Sequence, residues 1–195
     1  MRPLGKRARL WIIGFEESLN YVHHMRVPQH GRSGFTLIEL LVVIAIIGIL
    51  STLAVVALNS ARQRSRDAKR VSDIRQIQTS LELGYAEIGG YPPAPTPIVL
   101  GSAAYDVMCV NGGSVFQGSS TGCTTMLMGL VPANPTPNGA PYAYRGTDGI
   151  TSACTTAPCL GYCVQSELER GLPQIGLSAG AVIVDQSSLR NGTCP

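Results

Sequence analysis

Residues 31–58 read Gly-Arg-Ser-Gly-Phe-Thr-Leu-Ile-Glu-Leu-Leu-Val-Val-Ile-Ala-Ile-Ile-Gly-Ile-Leu-Ser-Thr-Leu-Ala-Val-Val-Ala-Leu, and one residue among them is out of place. Glu39 stands at the head of an apolar run of 19 residues, Leu40 to Leu58, in which only Ser51 and Thr52 are polar. At about 1.5 Å per residue such a run is long enough to span a bilayer as a helix. A lone carboxylate at that depth costs roughly 2.5–3.5 kcal/mol on insertion scales, which marks it as a functional residue in need of a partner. No Lys or Arg lies within a helical turn of it on the membrane side. The expected cation is therefore one created by processing or supplied by another chain. Two plainer readings compete. A secretory signal has a shorter apolar core, about 7–15 residues, and a small-residue cleavage site that Ser60-Ala61 imitates. A simple membrane anchor needs only the run. Neither accounts for Glu39, nor for the abrupt polar-to-apolar change at Gly34-Phe35.

Gly34-Phe35-Thr36-Leu37-Ile38-Glu39 followed by an apolar helix resembles the N-terminal signature of type IV prepilins and type II secretion pseudopilins. The likeness is close over residues 32–58 and weaker through Tyr91-Pro92. It implies cleavage between Gly34 and Phe35 by a membrane aspartic peptidase on the cytoplasmic side, then N-methylation of the new Phe35 amine. It also implies that Glu39 meets that amine on a neighbouring subunit as helices enter a filament. The physical logic is that the new N-terminus is the missing cation. Two charges in a low-dielectric medium attract far more strongly than in water, which favours docking in one register. Gly34, without a side chain, suits a peptidase that threads extended backbone.

Residues 1–34 hold six basic and two acidic side chains, a net +4, so the remaining chain carries −1 of the total of +3. That is not a nucleic-acid-binding profile, and no nucleic-acid partner is expected. Thirty-four residues are long for a prepilin leader. Met25 opens a ten-residue basic leader with Arg26 and Arg32, which makes it the expected start, with residues 1–24 an upstream extension. A genuine long leader touching the membrane through Leu10–Phe15 is the alternative.

Past the span the helix is expected to continue. Val71, Ile74, Ile77, Leu81, Tyr85 and Ile88 recur at spacings of 3 or 4, one face of an α-helix, until Gly89-Gly90 and Pro92-Pro93 stop it. Residues 35–88 then form one helix roughly 80 Å long, with residues 35–58 as its membrane and assembly half and 59–88 as its amphipathic half. Arg62, Arg64, Arg66, Lys69, Arg70 and Arg75 share this second half with only Asp67 and Asp73, a net +4. Positive flanks favour the cytoplasmic side, which conflicts with a head placed outside. The readings of this basic stretch are contact with anionic headgroups or neighbouring subunits, or simply a solvated helix face.

Residues 89–195 read as a small extracytoplasmic α+β head. Pro92, Pro93, Pro95 and Pro97 make a stiff extended loop. Strands are expected at Tyr142–Arg145, Gly161–Leu168 and Ala181–Asp185, with Gly-, Ser- and Thr-rich loops between, notably Asn111–Gly122. The segment from Leu130 to Tyr144, a Pro-rich turn feeding Pro141-Tyr142-Ala143-Tyr144, is similar to the corresponding segment of major pseudopilins. The fold implied is type IV pilin-like: a long N-terminal helix packed on an antiparallel sheet.

All six cysteines, Cys109, Cys123, Cys154, Cys159, Cys163 and Cys194, fall in this head. An even count in a small extracytoplasmic domain indicates disulfides, with 15 pairings open. Cys109–Cys123 is expected as a local loop, with Cys194 joined to one of the remaining three. The gaps between Cys154, Cys159 and Cys163 match no common zinc pattern and no His follows. His23, His24 and His30 are the only histidines, all in the segment expected to be removed, so Ser-His or Cys-His catalysis is excluded within one mature subunit. Glu167 and Glu169 are expected on a solvated strand face. Asp106, Asp148 and Asp185 are the carboxylates for a calcium site of the kind the resemblance implies for some major pseudopilins, with ordinary loop capping as the simpler reading and no dense Asp cluster. The span also lacks the Pro common in such helices, reading Ala54-Val-Val-Ala57 there and leaving Gly48 as its weak point.

The reading is a structural subunit with no enzymatic activity and no catalytic residues, itself the substrate of a prepilin peptidase and methylase. It inserts in the inner membrane with its leader cytoplasmic and its head outside, then joins an envelope or surface filament. Its expected partners are copies of itself, other pilin-like subunits, an inner-membrane assembly platform and membrane lipid. A type II secretion major pseudopilin is favoured over a type IV pilus subunit; a membrane-anchored, disulfide-stapled binding domain is the reading from another class.

Overall fold

The computed structural model describes residues 34–112, 114–137, 139–149 and 152–195. The leader, with Met25 and the three histidines, lies outside the described residues apart from Gly34. The chain divides into two compact units, residues 1–47 and 48–195.

Helix α1, Leu37–Ile88, runs for 52 residues. Its apolar part is rich in Val and Ile, which are mediocre helix formers in water. In lipid that preference is overridden, because every backbone N–H and C=O must be satisfied within the segment. One of the span's two hydroxyls is also satisfied within the helix: Thr52 Oγ1 donates to the Ile49 carbonyl at 2.8 Å. Every side chain from Phe35 to Leu58 is exposed in the isolated chain. Among the described residues α1 is the one helix long and apolar enough to cross a membrane, which fits a membrane-anchored chain. The helix ends where the glycines require. Gly89 adopts φ +71°, and its N–H donates to the Tyr85 carbonyl at 2.8 Å, the left-handed cap that glycine adopts without a Cβ penalty.

The second unit holds the head. Two antiparallel sheets follow α1. One has five strands: β1 (Ile98–Val99), β5 (Ala143–Thr147), β6 (Gly161–Leu172), β7 (Leu177–Val184) and β8 (Leu189–Asn191), in that spatial order. The other has β2 (Val107–Asn111) flanked by β3 (Ser114–Gln117) and β4 (Thr125–Met128). Val71, Ile74, Ile77 and Leu81 of α1 join one core with Tyr144, Val164, Leu168, Val182 and Val184 of the larger sheet. The cross-strand register sets Tyr144 opposite Val164 and Val164 opposite Val184, so the buried face is continuous. The result is the α+β, pilin-like architecture expected from the sequence, with three disulfides.

Several boundaries and elements differ from expectation. The strand expected at Tyr142 begins at Ala143 and reaches Thr147, that at Gly161 runs four residues further, and that at Ala181 begins at Leu177. The three-stranded sheet has no counterpart among the expected strands: β3 lies within Asn111–Gly122, expected as a loop, and β2 and β4 stand on either side of it. The sheet's centre, Val107 to Val110, is apolar and buried, and Gly112 (φ +56°) supplies the turn into β3. β6 also carries an irregularity. Its register against β7 shifts between Leu168 and Gly171, and Gly171 sits at φ +77° with a Cβ position only 2.5 Å from the Ser178 backbone. Only glycine fits there.

Candidate functional site

Three residues at the start of the described chain carry the sequence reading. Phe35 is 84% exposed. Gly34 adjoins it, and a Cβ built there meets no described atom within 4 Å. Among the described residues, then, nothing packs against position 34 in a way that would require glycine. Glu39 is the third residue, and here the structure corrects an expectation: the carboxylate does have partners in its own chain. Thr36 N–H and Thr36 Oγ1 both donate to Glu39 Oε2, at 2.8 and 2.7 Å, while Glu39 N–H donates back to Thr36 Oγ1 at 3.3 Å. Thr36 is the N-cap of α1 and Glu39 its third residue, so Thr-x-x-Glu forms a capping box. Thr36 and Glu39, three residues apart at the head of the apolar run, are the sequence signal for this box. The Thr36 partners are neutral donors, and both bonds fall on Oε2. Among the described residues Oε1 accepts no hydrogen bond, and no cation reaches Glu39.

The basic half of α1 also departs from expectation. Arg66 and Arg70 lie neither in solvent nor at a free surface. Arg66 donates from Nε and Nη2 to the two oxygens of Glu169 at 2.7 and 2.6 Å, a bidentate pair. Arg70, fully buried, donates through Nη1 to Asp67 and Glu169, each at 2.8 Å. Asp67, also fully buried, accepts N–H groups from Glu169, Arg170 and Gly171 at 2.8, 2.8 and 3.0 Å. Those are the amides freed where β6 breaks register, so the carboxylate replaces a missing strand partner. Arg70 is held further by Asn134 Oδ1 (2.7 Å) and the Pro135 carbonyl (3.3 Å) of the Pro-rich segment. Glu169 is thus not on a solvated face, as expected with Glu167, but bridges two arginines; Glu167 is exposed. The clue was a pair of charges at helix-face positions, Asp67 and Arg70, in line with Val71 and Ile74.

Further along the same helix, Tyr142 donates to Asp73 (2.9 Å), which also pairs with Lys69 (3.2 Å). Glu82 accepts from Tyr91 and Tyr162, at 2.8 and 3.0 Å. The pKa values of Tyr91, Tyr142, Tyr144 and Tyr162 are raised well above the usual phenol range. Burial is the largest cause in each, with the Glu82 carboxylate adding for Tyr91 and Tyr162 and the Asp73 carboxylate for Tyr142. These groups hold neutral phenols and fit no acid–base role.

The three aspartates considered for calcium are not brought together: among the described residues no group of three or more His, Cys, Asp or Glu side chains is placed to hold a metal. Asp185 instead caps its turn. It accepts from the Ser187 hydroxyl (2.7 Å) and from the Ser187 and Ser188 N–H groups, and pairs with Arg190. Burial pushes its pKa up, but these donors outweigh it and the net shift is downward. Asp148 accepts the Ser152 N–H at 3.1 Å. The cysteines pair as Cys109–Cys123, Cys154–Cys159 and Cys163–Cys194. The last closes 31 residues and ties the C-terminus to β6.

Residues 29–55 match a family model described as the prokaryotic N-terminal methylation motif. The chain is 39% identical over 66 residues to a type II secretion system core protein G of Aeromonas hydrophila, covering 34% of this chain and 46% of that protein. It is 39% identical over 68 residues to the protein of that name from Escherichia coli K12, covering 35% and 46%. With that of Dickeya chrysanthemi it shares 37% over 64 residues, covering 33% and 42%. The match thus spans less than half the length of these relatives. No solved structure matches the chain.

Proposed function

We propose that this chain, which carries the N-terminal methylation segment of prepilin-type proteins above a pilin-like α+β head, is a structural protomer of a helical envelope filament. The favoured filament is that of a type II secretion apparatus, with the chain in the role of major pseudopilin. The observation that carries this reading is the arrangement at the start of α1: a structurally unrequired Gly34, an exposed Phe35, and Glu39 with an oxygen left open at the mouth of an apolar span. The relatives' name, type II secretion system core protein G, supports secretion over a pilus.

In this reading the precursor lies in the inner membrane, leader cytoplasmic and head outside. A prepilin peptidase cuts after Gly34 and the Phe35 amine is methylated. The new amine is the cation that the span lacks. An ammonium and a carboxylate are each uncomfortable alone in lipid and attract strongly where the dielectric is low, so a neighbouring subunit enters the growing filament in the register that joins them. An assembly platform in the same membrane and other pilin-like subunits complete the set of partners. The chain performs no chemistry; it is processed and then packed.

Mass spectrometry of the mature N-terminus tests the reading. A chain beginning at N-methylated Phe35 is the expected result, and an intact leader in envelope fractions refutes it. A deletion strain separates the two filament types: loss of exoprotein release with surface fibres retained supports secretion, and the reverse phenotype supports a pilus.

A further inference from the structure

The basic stretch is not uniform: Lys69 pairs with Asp73, and Arg75 is exposed further along the helix. Arg66 and Arg70 are spent on Glu169 and Asp67. Arg62 and Arg64 remain exposed, as does Arg170 on the strand that meets the same end of the helix. Among the described residues none of these three has an ion-pair partner. Arg64 lines a groove of about 540 Å³ between α1 and the turn after β6, together with Ala61, Ala68, Leu172, Pro173 and Gln174, while Arg62 and Arg170 are the chain neighbours of its lining residues Ala61 and Gly171. Ala61, Arg64 and Ala68 recur at helical spacing on one flank, and Ala61 lies only three residues, about 5 Å of rise, beyond Leu58, where the apolar run ends.

We infer that this groove and its arginines dock the head onto the anionic phospholipid surface from which α1 emerges. Two observations select that occupant. The groove begins at Ala61, three residues past the apolar run, so Arg62 and Arg64 fall within one to two turns of Leu58, close to phosphate level. The unpaired charge of Arg62, Arg64 and Arg170 is also of one sign, matching phosphodiester headgroups, and the exposed Pro173 gives the groove an apolar rim at that level. This placement accounts for positive charge on a flank where orientation rules disfavour it: the arginines serve to hold the waiting subunit against the lipid. Each arginine near an anionic surface is worth a factor of about 5 in binding, so three together shift the docked population about 100-fold. Salt screens the interaction, as it must for exposed charges. The inference does not depend on which filament the subunit joins.

The test uses the full chain, with Trp11→Phe to clear the background and Gln174→Trp as reporter, reconstituted in vesicles carrying acyl-brominated quencher lipid. Strong quenching of the reporter in phosphatidylglycerol vesicles, absent in phosphatidylcholine and reversed by high salt, is the expected result. Replacing Arg62, Arg64 and Arg170 together by Gln abolishes it without changing the circular dichroism of the head. Equal quenching in both lipids, or quenching indifferent to the three arginines, overturns the inference. So does a reporter signal that tracks protein-to-lipid ratio instead of lipid charge, since that outcome assigns the groove to a second copy of the chain.

Discussion

Asp67→Ala is the sharpest test of how the helix is held to the head. The carboxylate is fully buried and accepts four donors: three backbone N–H groups of residues 169–171 and Arg70 Nη1. Its removal leaves the three amides without their acceptor and strips one anion from a buried arginine. Breaking a buried pair costs about 3–5 kcal/mol, and each stranded amide about 1–3 kcal/mol, though such terms overlap and do not add. A net loss of about 4 kcal/mol is expected; at a urea m-value of about 2 kcal/mol per molar, the midpoint falls by about 2 M. The assay is urea unfolding of the full chain in mild detergent with its disulfides intact, read by near-UV circular dichroism of the buried tyrosines. Hydrogen exchange adds a local readout: the amides of Glu169, Arg170 and Gly171 lose protection, while those of β7 change only as far as global stability does. Asp67→Asn keeps one acceptor oxygen but turns an NH2 toward donors, so it falls between wild type and Asp67→Ala. Arg70→Met combined with Asp67→Ala gives a cycle in which the two changes cost less together than their sum. A loss below about 1 kcal/mol for Asp67→Ala, or strict additivity with Arg70→Met, refutes the clasp.

Three further outcomes follow from the same geometry. Glu39→Leu removes an insertion penalty of roughly 3 kcal/mol and a capping box worth about 1 kcal/mol; insertion and processing proceed while filament assembly, scored by crosslinking between subunits, is lost, and normal polymerisation would sink the charge-pairing account. Alkaline titration followed by phenolate absorbance tests the tyrosines: with folded-state pKa values raised above about 10, Tyr91, Tyr142, Tyr144 and Tyr162 lend stability that is fully present below pH 10 and lost as pH rises beyond it. Their four signals appear together with unfolding, and gradual ionisation in the folded chain contradicts their burial. Cys163→Ser with Cys194→Ser opens a 31-residue loop, for an expected loss of about 4 kcal/mol on the loop-entropy model; the change shows in the thermal midpoint and in exchange at β8.

What the sequence disclosed about the fold followed from how far each interaction reaches along the chain. The apolar span, the end of α1 at Ile88 and the helix face from Val71 to Leu81 depend on residues a few positions apart, so periodicity and glycine placement revealed them. The sheet on β2 did not follow, because its strands are short and separated by Gly, Ser and Thr, and what makes Val107–Asn111 a strand is its distant burial. The clasp is the extreme case. Arg66 and Arg70 read as part of a solvated basic stripe because their anion, Glu169, lies about a hundred residues away and was itself assigned to a strand surface. Asp67 and Arg70 stood in line with buried Val71 and Ile74, and charges on an apolar helix face must find partners or leave it. That inference was available from the spacing alone; the identity of the partner was not.

Glu39 combines both kinds of legibility. Its distance from any cation is plain in the sequence, whereas its capping bonds depend on Thr36, an uncharged residue three positions earlier. The two findings bear on one question, whether a carboxylate already engaged in its own helix is free to guide assembly. Both Thr36 donors converge on Oε2, which holds the carboxylate in place and, among the described residues, leaves Oε1 without a hydrogen bond. A carboxylate pre-ordered by neutral donors loses little side-chain entropy when a cation arrives, so the cap lowers the cost of the later pairing instead of competing with it. Thr36→Val separates the two contributions. It removes the Oγ1 bonds at both ends of the box while leaving the charge in place, so the subunit still assembles, but more slowly than wild type. Assembly as impaired as that of Glu39→Leu would mean that the cap, and not the charge, is what the filament requires.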